Sequence, residues 1–472
     1  MSVFRNAVLA SPIRNSARRS FARPTALLRS QQAYAPVQPR RAISTTTEKQ
    51  AIVLTGSKPV KTDKVQGTAP LAAHQTTDGY RLWLRDACSC SLCVDPSTRQ
   101  KVFETPKIPA NISYKSVTES KDGKSISVTW DNDIPGFGPE HTSTYEKKEL
   151  ERYDNNPVAV ESLQANEADS YKIWNRDQVS EKIQFIDYDK SMEDDKTLFE
   201  VLKQLRLYGL VFIKNVPGEN GPAAMGKRIG RLRDTFYGET WDVKSVPQAK
   251  NVAYTHQFLG FHMDLLYMAD PPGFQLLHCI KNSCEGGESM FTDAFYAVNQ
   301  LESSQPTETK VLSEFPVNYH YKNAGEHYRH AHPTVVYDTA HSTLQNRPLK
   351  YVNYSPPFQG PFNLSNGTSS PTSLERLSAY HDIVRRFQDI TEREENIYKY
   401  KMKEGEMVIF NNRRVLHART AFDVSSGERW LKGGYIDTDV VLSKHRVLRE
   451  EFEEEMMGEG WLEKPSSLGS GC

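Results

Sequence analysis

The pattern of apolar and polar positions divides most of the chain into two regions. Residues 70–155 contain short strand-like runs, "RLWLRDAC" and "SISVTW", separated by the turn-forming stretch "DNDIPGFGPE". A mixed segment, "LQANEADSYKIWNRDQ", follows and is typical of a linker. Longer periodic elements begin near residue 183, which predicts a second domain over 183–455.

The second region combines amphipathic helices with many apolar strands. The run "LFEVLKQLRLYGLVFIKNVP" predicts a helix over Thr197–Leu207, a stop at Gly209 and a buried strand, "LVFI". The strands "GFQLLHCIK" and "ESMFTDAF" are expected to pair across the turn "CEGG", and "EMVIFNNRRVLHARTAF" and "GERWLKGGYIDTDVVL" predict closing strands. The stretch "SLERLSAYHDIVRRFQDI" predicts a helix whose apolar face holds Leu374, Leu377, Val384 and Phe387. This mainly β pattern with flanking helices favours a sandwich or jelly roll over a parallel α/β sheet.

Composition and charge exclude several classes of protein. Of 472 residues, 38% are apolar and 25% charged, which is ordinary for a soluble globular protein. The formal net charge is zero, so the whole chain lacks the basic excess typical of nucleic-acid binding. We find no run of 18 apolar residues, so no membrane span is predicted. Six cysteines are too few for a disulfide-dense secreted scaffold.

The first 47 residues differ from the rest of the chain in charge. They contain eight arginines and no acidic residue, and the first acid is Glu48. An Arg-rich, Ser-rich segment without acids predicts a mitochondrial transit peptide over 1–47 and localisation in the matrix. The alternative is a disordered basic tail. In either case the segment is not part of the predicted fold.

Three thiols lie close together in "LRDACSCSLC", at Cys88, Cys90 and Cys93. In a reducing compartment such a cluster favours a metal over disulfides, and thiolates suit zinc. A closed structural zinc site needs four ligands, and the nearest downstream histidine is His141. The alternative is a group of free cysteines that are neighbours by chance.

The stretch "FHMDLLYM" places His262 and Asp264 two residues apart, on one face of a predicted strand. The pair is a metal half-site, an acid–base pair or a solvated polar pair. His417 follows the strand "EMVIF" and Arg429 lies 12 residues further on. Two histidines and one carboxylate bind non-haem Fe(II), and a buried arginine can hold the distal carboxylate of a 2-oxo acid. The order His, Asp, His, Arg therefore predicts a 2-oxoglutarate-dependent dioxygenase.

The stretch "EHYRHAHP" contains a second histidine cluster and is an alternative candidate for a metal site. It contains His327, His330 and His332, in a polar stretch rich in turn-forming residues. We expect a surface loop there rather than a metal site.

The chain resembles the gamma-butyrobetaine dioxygenase family and its close relative trimethyllysine dioxygenase. The resemblance spans about residues 81–449 and is carried by "WLRDACSCSLC", "RDTFYGETW", "NVAYT", "FHMD", "PPGFQLLHCIK", "NNRRVLHAR" and "GGYIDTDVVLSKHRVLR". It implies a double-stranded β-helix (jelly-roll) catalytic domain, a small β-rich zinc-binding N-terminal domain over 70–155, and a homodimer. It also implies Fe(II), 2-oxoglutarate, O2 and structural Zn(II), with ascorbate as the reductant. The implied ligands are His262, Asp264 and His417 for iron, Arg429 for 2-oxoglutarate, and Cys88, Cys90, Cys93 and His141 for zinc.

The resemblance also points to the substrate pocket. Aromatic faces hold quaternary ammonium groups through cation–π attraction, because such groups form no ordinary hydrogen bonds. The implied aromatic cage consists of Tyr237, Trp241, Tyr254 and Tyr435. Asn251 is expected to help hold a carboxylate.

The resemblance predicts that the substrate is a small quaternary-ammonium carboxylate, and that the reaction is hydroxylation of gamma-butyrobetaine to L-carnitine. Departures from the family pattern keep other substrates open. Leu265 follows Asp264 where animal butyrobetaine enzymes have a tyrosine, and Tyr267 resembles the trimethyllysine enzymes instead. The alternatives are 3-hydroxylation of N6-trimethyllysine, a related dioxygenase for another small carboxylate, and a non-catalytic zinc-stabilised binding protein.

Overall fold

The computed structural model describes residues 77–148, 150, 171–244, 255–338, 348–362 and 373–458. The predicted transit peptide, the first half of the segment interpreted as a linker, and the predicted site residues Asn251 and Tyr254 lie outside these ranges. Within the described residues, no helix is both long enough and apolar enough to cross a membrane.

The N-terminal part forms a three-stranded antiparallel sheet behind one helix. Helix α1 spans Asp78–Asp86, and strands β1, β2 and β3 pair in that order over Ser113–Glu119, Ser125–Asp131 and Thr142–Glu146. The strand predicted for "RLWLRDAC" is wrong, because most of this segment lies in α1. That helix is capped by Thr77, whose hydroxyl accepts from the Tyr80 amide at 3.3 Å. A 3₁₀ turn covers Thr105–Lys107.

The C-terminal part is built from two facing sheets. A six-stranded sheet has the order β4-β5-β15-β8-β17-β6, and a four-stranded sheet has the order β14-β9-β16-β7. The large sheet comprises β4 Phe185–Asp187, β5 Leu210–Lys214, β6 Thr240–Lys244, β8 Phe274–Asn282, β15 Met407–Asn411 and β17 Arg429–Ile436. The small sheet comprises β7 Leu259–His262, β9 Ser289–Asp293, β14 Tyr398–Tyr400 and β16 Val415–Arg419. This is the predicted double-stranded β-helix.

Helices and shorter strands surround the two sheets. The helices are α2 Arg176–Lys182, α3 Tyr188–Glu193, α4 Asp195–Tyr208, α5 Gly221–Ile229, α6 Ala294–Ser304, α7 Pro306–Thr309, α8 Val311–Glu314, α9 Ser373–Thr391 and α10 Thr438–Gly458. Two further 3₁₀ turns cover Pro356–Phe358 and Glu394–Asn396. The remaining strands are β10 Pro316–Asn323, β11 Glu326–Pro333, β12 Val335–Tyr337 and β13 Leu349–Val352.

Alternation along β5 explains why the large sheet is buried on both faces. Val211 and Ile213 contact the layer of helices, whereas Leu210 and Phe212 face the opposite sheet. The Phe212 ring lies 6.1 Å from the ring of Phe291 on β9, so the two sheets pack against each other there. A cavity beside Phe291 is lined by residues of both sheets.

The structure corrects three expectations about individual elements. The segments "GFQLLHCIK" and "ESMFTDAF" form β8 and β9 but do not pair, because β8 lies between β15 and β17 while β9 lies between β14 and β16. Leu374 is 63% exposed, and the buried face of α9 is formed by Tyr380, Ile383, Phe387 and Ile390. Trp174, within the expected linker, is 1% exposed and donates its amide to the Asp293 carboxylate at 3.1 Å.

The histidine-rich stretch "EHYRHAHP" is a strand rather than a loop. It forms β11, which pairs with β10 through a two-residue turn at Ala324 and Gly325, both with positive φ. His327 and His330 are exposed, as expected for a surface element. His332 is buried and hydrogen bonds through Nε2 to the Met268 carbonyl at 2.9 Å.

Candidate active site

Strand pairing brings the three predicted iron ligands together in the wall of the cavity between the two sheets. His417 on β16 lies directly opposite His262 on β7, with ring centroids 4.1 Å apart. Asp264 lies just beyond the end of β7, with Oδ1 3.4 Å from Nε2 of His262 and Oδ2 3.9 Å from Nε2 of His417. One donor atom from each residue lies within 4.8 Å of the others. Two imidazoles and one carboxylate suit Fe(II) with open coordination positions.

The protonation states of these groups also suit a metal ion. Burial, together with the nearby His262, lowers the pKa of His417 to about 3, so its imidazole is neutral at pH 7. Burial alone would raise the pKa of Asp264, but hydrogen bonding with His262, the charges of both histidines and a hydrogen bond from Tyr435 hold it well below its usual range. His262 bonds through Nδ1 to the Gly260 carbonyl at 2.8 Å, which leaves Nε2 to bind a metal.

The Asp264 main chain is held by a side chain that sequence reasoning missed. Asn412 accepts from the Asp264 amide at 2.8 Å and donates to the Asp264 carbonyl at 3.0 Å. The next residue, Leu265, has φ of 63°, in the left-handed region that residues with a Cβ rarely adopt. Asn412 is fully buried, and its place in "NNRRVLHAR", five residues before His417, was the available signal.

Arg429, the predicted anchor for 2-oxoglutarate, begins β17 and is 7% exposed. Its Nε donates to the Gly287 carbonyl at 3.3 Å. A glycine at position 287 makes space for the Arg429 side chain, because a Cβ there would lie 3.0 Å from Cδ of the arginine. Burial lowers the Arg429 pKa to about 10, so it stays charged at neutral pH. Among the described residues, no carboxylate forms an ion pair with it, and a bidentate carboxylate ligand would supply the missing counter-charge.

Three of the four predicted cage residues line the same cavity as the three candidate iron ligands. Tyr237, Trp241 and Tyr435 lie in its walls, together with apolar side chains such as Leu277 and Phe291. The Trp241 ring stacks on Tyr435 at 4.3 Å and lies 5.9 Å from Tyr237. Gly433 permits this arrangement, because a Cβ there would lie 2.6 Å from the Trp241 ring. Asn251 and Tyr254 lie outside the described residues.

Two further residues of the cavity were not predicted as site residues. Arg419 projects into the cavity from β16, two residues after His417 and therefore on the same strand face. Burial and the charge of Arg429 lower the Arg419 pKa to about 10. Tyr267 also lines the cavity and stacks on Tyr321 at 5.3 Å. The same i and i+2 periodicity that singled out the HxD pair was sufficient to find Arg419.

The N-terminal part contains the second predicted metal site. The Sγ atoms of Cys88, Cys90 and Cys93 lie 3.7, 3.4 and 3.3 Å from Nε2 of His141. Tetrahedral zinc with bonds of about 2.3 Å to sulfur and about 2.0 Å to nitrogen places such atoms roughly 3.5 Å apart. Burial raises the pKa of the Cys88 and Cys93 thiols, so a cation is needed to hold them as thiolates at neutral pH. The donor set therefore fits zinc.

Asp133 and Arg85, which sequence reasoning missed, hydrogen bond to residues of this candidate zinc site. Asp133 bonds through Oδ2 to Nδ1 of His141 at 2.7 Å, which leaves Nε2 of that ring facing the thiols. Its Oδ1 accepts from Nε of Arg85 at 2.6 Å. Arg85 is fully buried between the rings of Phe103 and Phe137 and donates to Sγ of Cys93 at 3.4 Å. Asp133 therefore links the buried Arg85 to His141.

We expect Asp133→Asn to weaken zinc binding by roughly 10–100-fold, because an amide offers one acceptor oxygen where the carboxylate serves both Arg85 and His141. The measurement is the rate of zinc release to a chromogenic chelator. Asp131→Asn is the matched control, since Asp131 is an exposed strand residue of the same sheet. Equal release rates for the two variants would show that Asp133 does not support the site.

The jelly roll and its two-histidine, one-carboxylate site define a non-haem iron oxygenase, and comparison with known proteins agrees. The model of the taurine catabolism dioxygenase TauD, TfdA family matches residues 177–435, and the gamma-butyrobetaine hydroxylase-like N-terminal model matches residues 73–150. The chain belongs to the TauD, TfdA family and is an Fe(II)- and 2-oxoglutarate-dependent dioxygenase.

Three similar proteins illustrate the range of the family. Dioxygenase str8 of Strobilurus tenacellus is 36% identical over 382 residues, covering 78% of this chain and 84% of that protein. Gamma-butyrobetaine dioxygenase of Pseudomonas sp. (strain AK-1) is 32% identical over 371 residues, covering 78% of this chain and 90% of that protein. Mitochondrial trimethyllysine dioxygenase of Gallus gallus is 27% identical over 370 residues, covering 78% and 82%.

Proposed function

We propose that this dioxygenase hydroxylates gamma-butyrobetaine to L-carnitine. The observation that carries the proposal is the stacked pair Trp241 and Tyr435, which forms a wall of the cavity beside Asp264. A trimethylammonium group needs such aromatic faces, because it has no hydrogen-bond donors and is stabilised by the negative charge above a ring. The butyrobetaine enzyme of Pseudomonas, at 32% identity, supports the same substrate class.

In this proposal each group at the site has a defined role. His262, Asp264 and His417 hold Fe(II), and Arg429 holds the distal carboxylate of 2-oxoglutarate. When bound, Fe(II) supplies the activation of O2 that converts 2-oxoglutarate to succinate and CO2 and hydroxylates a C–H bond of the substrate. The aromatic wall fixes the position of the substrate's ammonium group, and the apolar lining excludes water from the reacting groups.

Strand β17 separates Arg429, which would bind an anion, from Tyr435, which would bind the cationic group of the substrate. Arg429 and Tyr435 lie six residues apart on the same face of the strand, which corresponds to roughly 20 Å at 3.3 Å per residue. An anion and a cation can therefore bind at opposite ends of one cavity, with the iron ligands contributed by the facing sheet. We include Arg419 and Asn251 in the proposal, as donors that help to hold carboxylates.

N6-trimethyllysine is the second candidate substrate. Tyr267 at three residues beyond Asp264 lines the cavity and resembles the trimethyllysine enzymes, one of which is 27% identical. Trimethyllysine, however, carries an additional α-ammonium group that requires an acceptor. Among the described residues that line the cavity, Asp264 is the one carboxylate, and it is a proposed iron ligand. This difference favours the substrate that has no second cationic group.

The proposal extends to the organisation of the protein. We propose a zinc-binding domain over 70–155, a dioxygenase domain over 183–455, and a homodimer. We also propose import into the mitochondrial matrix by residues 1–47. The mitochondrial trimethyllysine dioxygenases among the relatives support that location.

Succinate release tests the substrate assignment. The protein is reconstituted with Fe(II), 2-oxoglutarate and ascorbate, and supplied separately with gamma-butyrobetaine, N6-trimethyllysine and neutral carboxylates of the same length. We expect stimulated succinate release with gamma-butyrobetaine and a product heavier by one oxygen in the mass spectrum. Stimulation by a neutral carboxylate but by neither quaternary ammonium compound would overturn the proposal.

A further inference from the structure

Tyr435 contacts both the candidate cation pocket and the candidate metal centre. Its ring stacks on Trp241 at 4.3 Å, and its hydroxyl donates to Oδ2 of Asp264 at 2.7 Å. We propose that Tyr435 is a positioning residue of the iron site, which orients the Asp264 carboxylate for metal binding while its ring forms part of the cage. The part of this inference that concerns the cage rests on the proposed function, whereas the part that concerns Asp264 does not.

The contacts of Asp264 show why its carboxylate needs such a partner. Asn412 holds the amide and the carbonyl of Asp264, and this fixes only the main chain. The side chain can still rotate, because Asp264 lies in a turn directly before the left-handed Leu265, beyond the end of β7. A hydrogen bond from Tyr435 to Oδ2 restricts that rotation and keeps Oδ1 on the side of His262, 3.4 Å from Nε2. Asn412 therefore holds the main chain of Asp264, and Tyr435 holds its carboxylate.

The surroundings of Tyr435 fit a permanent hydrogen-bond donor. The side chain is 2% exposed, and its hydroxyl donates to the Asp264 carboxylate at 2.7 Å. Strand β17 pairs with β8 on one side and β6 on the other, so the Tyr435 main chain lies within the large sheet. A donor on a rigid strand loses little conformational entropy when it orients a ligand.

Two substitutions separate the roles of the ring and the hydroxyl. Tyr435→Phe retains the ring and removes the hydroxyl, so we expect Fe(II) to bind roughly 10–100-fold more weakly while gamma-butyrobetaine binding at saturating Fe(II) stays within a factor of about two. Tyr435→Leu removes both and should weaken both. Tyr319→Phe is the matched control, because Tyr319 is a buried tyrosine whose hydroxyl donates to the Asn353 carbonyl at 3.0 Å. Its Fe(II) affinity should equal that of the wild type.

The measurements are anaerobic Fe(II) titration and the charge-transfer absorption band that 2-oxoglutarate gives when it chelates the metal. A reduced band at limiting Fe(II) in Tyr435→Phe, restored at high Fe(II), supports positioning of Asp264. A wild-type Fe(II) affinity in this variant would overturn the inference, whatever the substrate is. If Tyr435→Phe loses Fe(II) affinity and Tyr435→Leu retains full betaine binding, the positioning role stands and the cage of the proposed function is wrong. Should the Leu variant fail to fold, the Phe variant still decides the positioning role.

Discussion

His262→Ala and Asp264→Ala should each abolish succinate release that depends on substrate, with the fold retained. Each change removes one of the three donor atoms that lie within 4.8 Å of each other, and two protein ligands hold Fe(II) far less firmly than three. Both side chains line the cavity and belong to neither of the apolar clusters beside it, so we expect thermal unfolding close to that of the wild type. The loss of turnover is expected to be complete within detection.

The measurement is succinate release after metal stripping and reconstitution with Fe(II), with thermal unfolding recorded on the same samples. His327→Ala is the matched control, because His327 is an exposed histidine of the β11 hairpin. This control should turn over normally. Near-normal succinate release by either ligand variant, in protein that is correctly folded and reconstituted, would show that the iron ligands have been assigned wrongly.

Trp241→Leu should raise the KM for the quaternary ammonium substrate by about thirtyfold. A desolvated cation–π contact is worth about 2 kcal/mol, and each 1.4 kcal/mol corresponds to about a tenfold change in binding. The change leaves Arg429 in place, so the KM for 2-oxoglutarate should barely move. Trp430→Leu is the matched control, since Trp430 lies on the same sheet outside the cavity and donates to Asp242 at 2.8 Å.

A neutral analogue distinguishes cation binding from simple hydrophobic contact. Replacing the trimethylammonium group by tert-butyl keeps the shape and removes the charge. Wild-type protein should bind this analogue about thirtyfold more weakly, and Trp241→Leu should show a much smaller difference. If wild type used the neutral compound as well as the cation, the aromatic wall would be only a hydrophobic surface, and the assignment to a betaine would lose its physical basis.

Local chemistry explains what the sequence alone determined about this protein. The order of His262, Asp264, His417 and Arg429 predicted the class of enzyme, because few reactions need two imidazoles, a carboxylate and a distant guanidinium in one site. Three closely spaced cysteines predicted zinc for the same reason. Helix α4 was also predicted nearly to the residue, since it has an apolar face and a glycine stop at Gly209 with φ of 69°. These signals depend on residue types and short spacings.

Only the tertiary structure decided which residues support these ligands. Asn412 and Tyr435 reach Asp264 from positions 148 and 171 residues away in the chain, and Asp133 meets both Arg85 and His141. Sequence periodicity could not predict that β8 and β9 lie in different sheets, because both apolar runs satisfy the pattern of either sheet. Pairing between distant strands is selected by packing over the whole domain. The candidate ligands could therefore be proposed from the sequence, whereas the side chains that hydrogen bond to them could not.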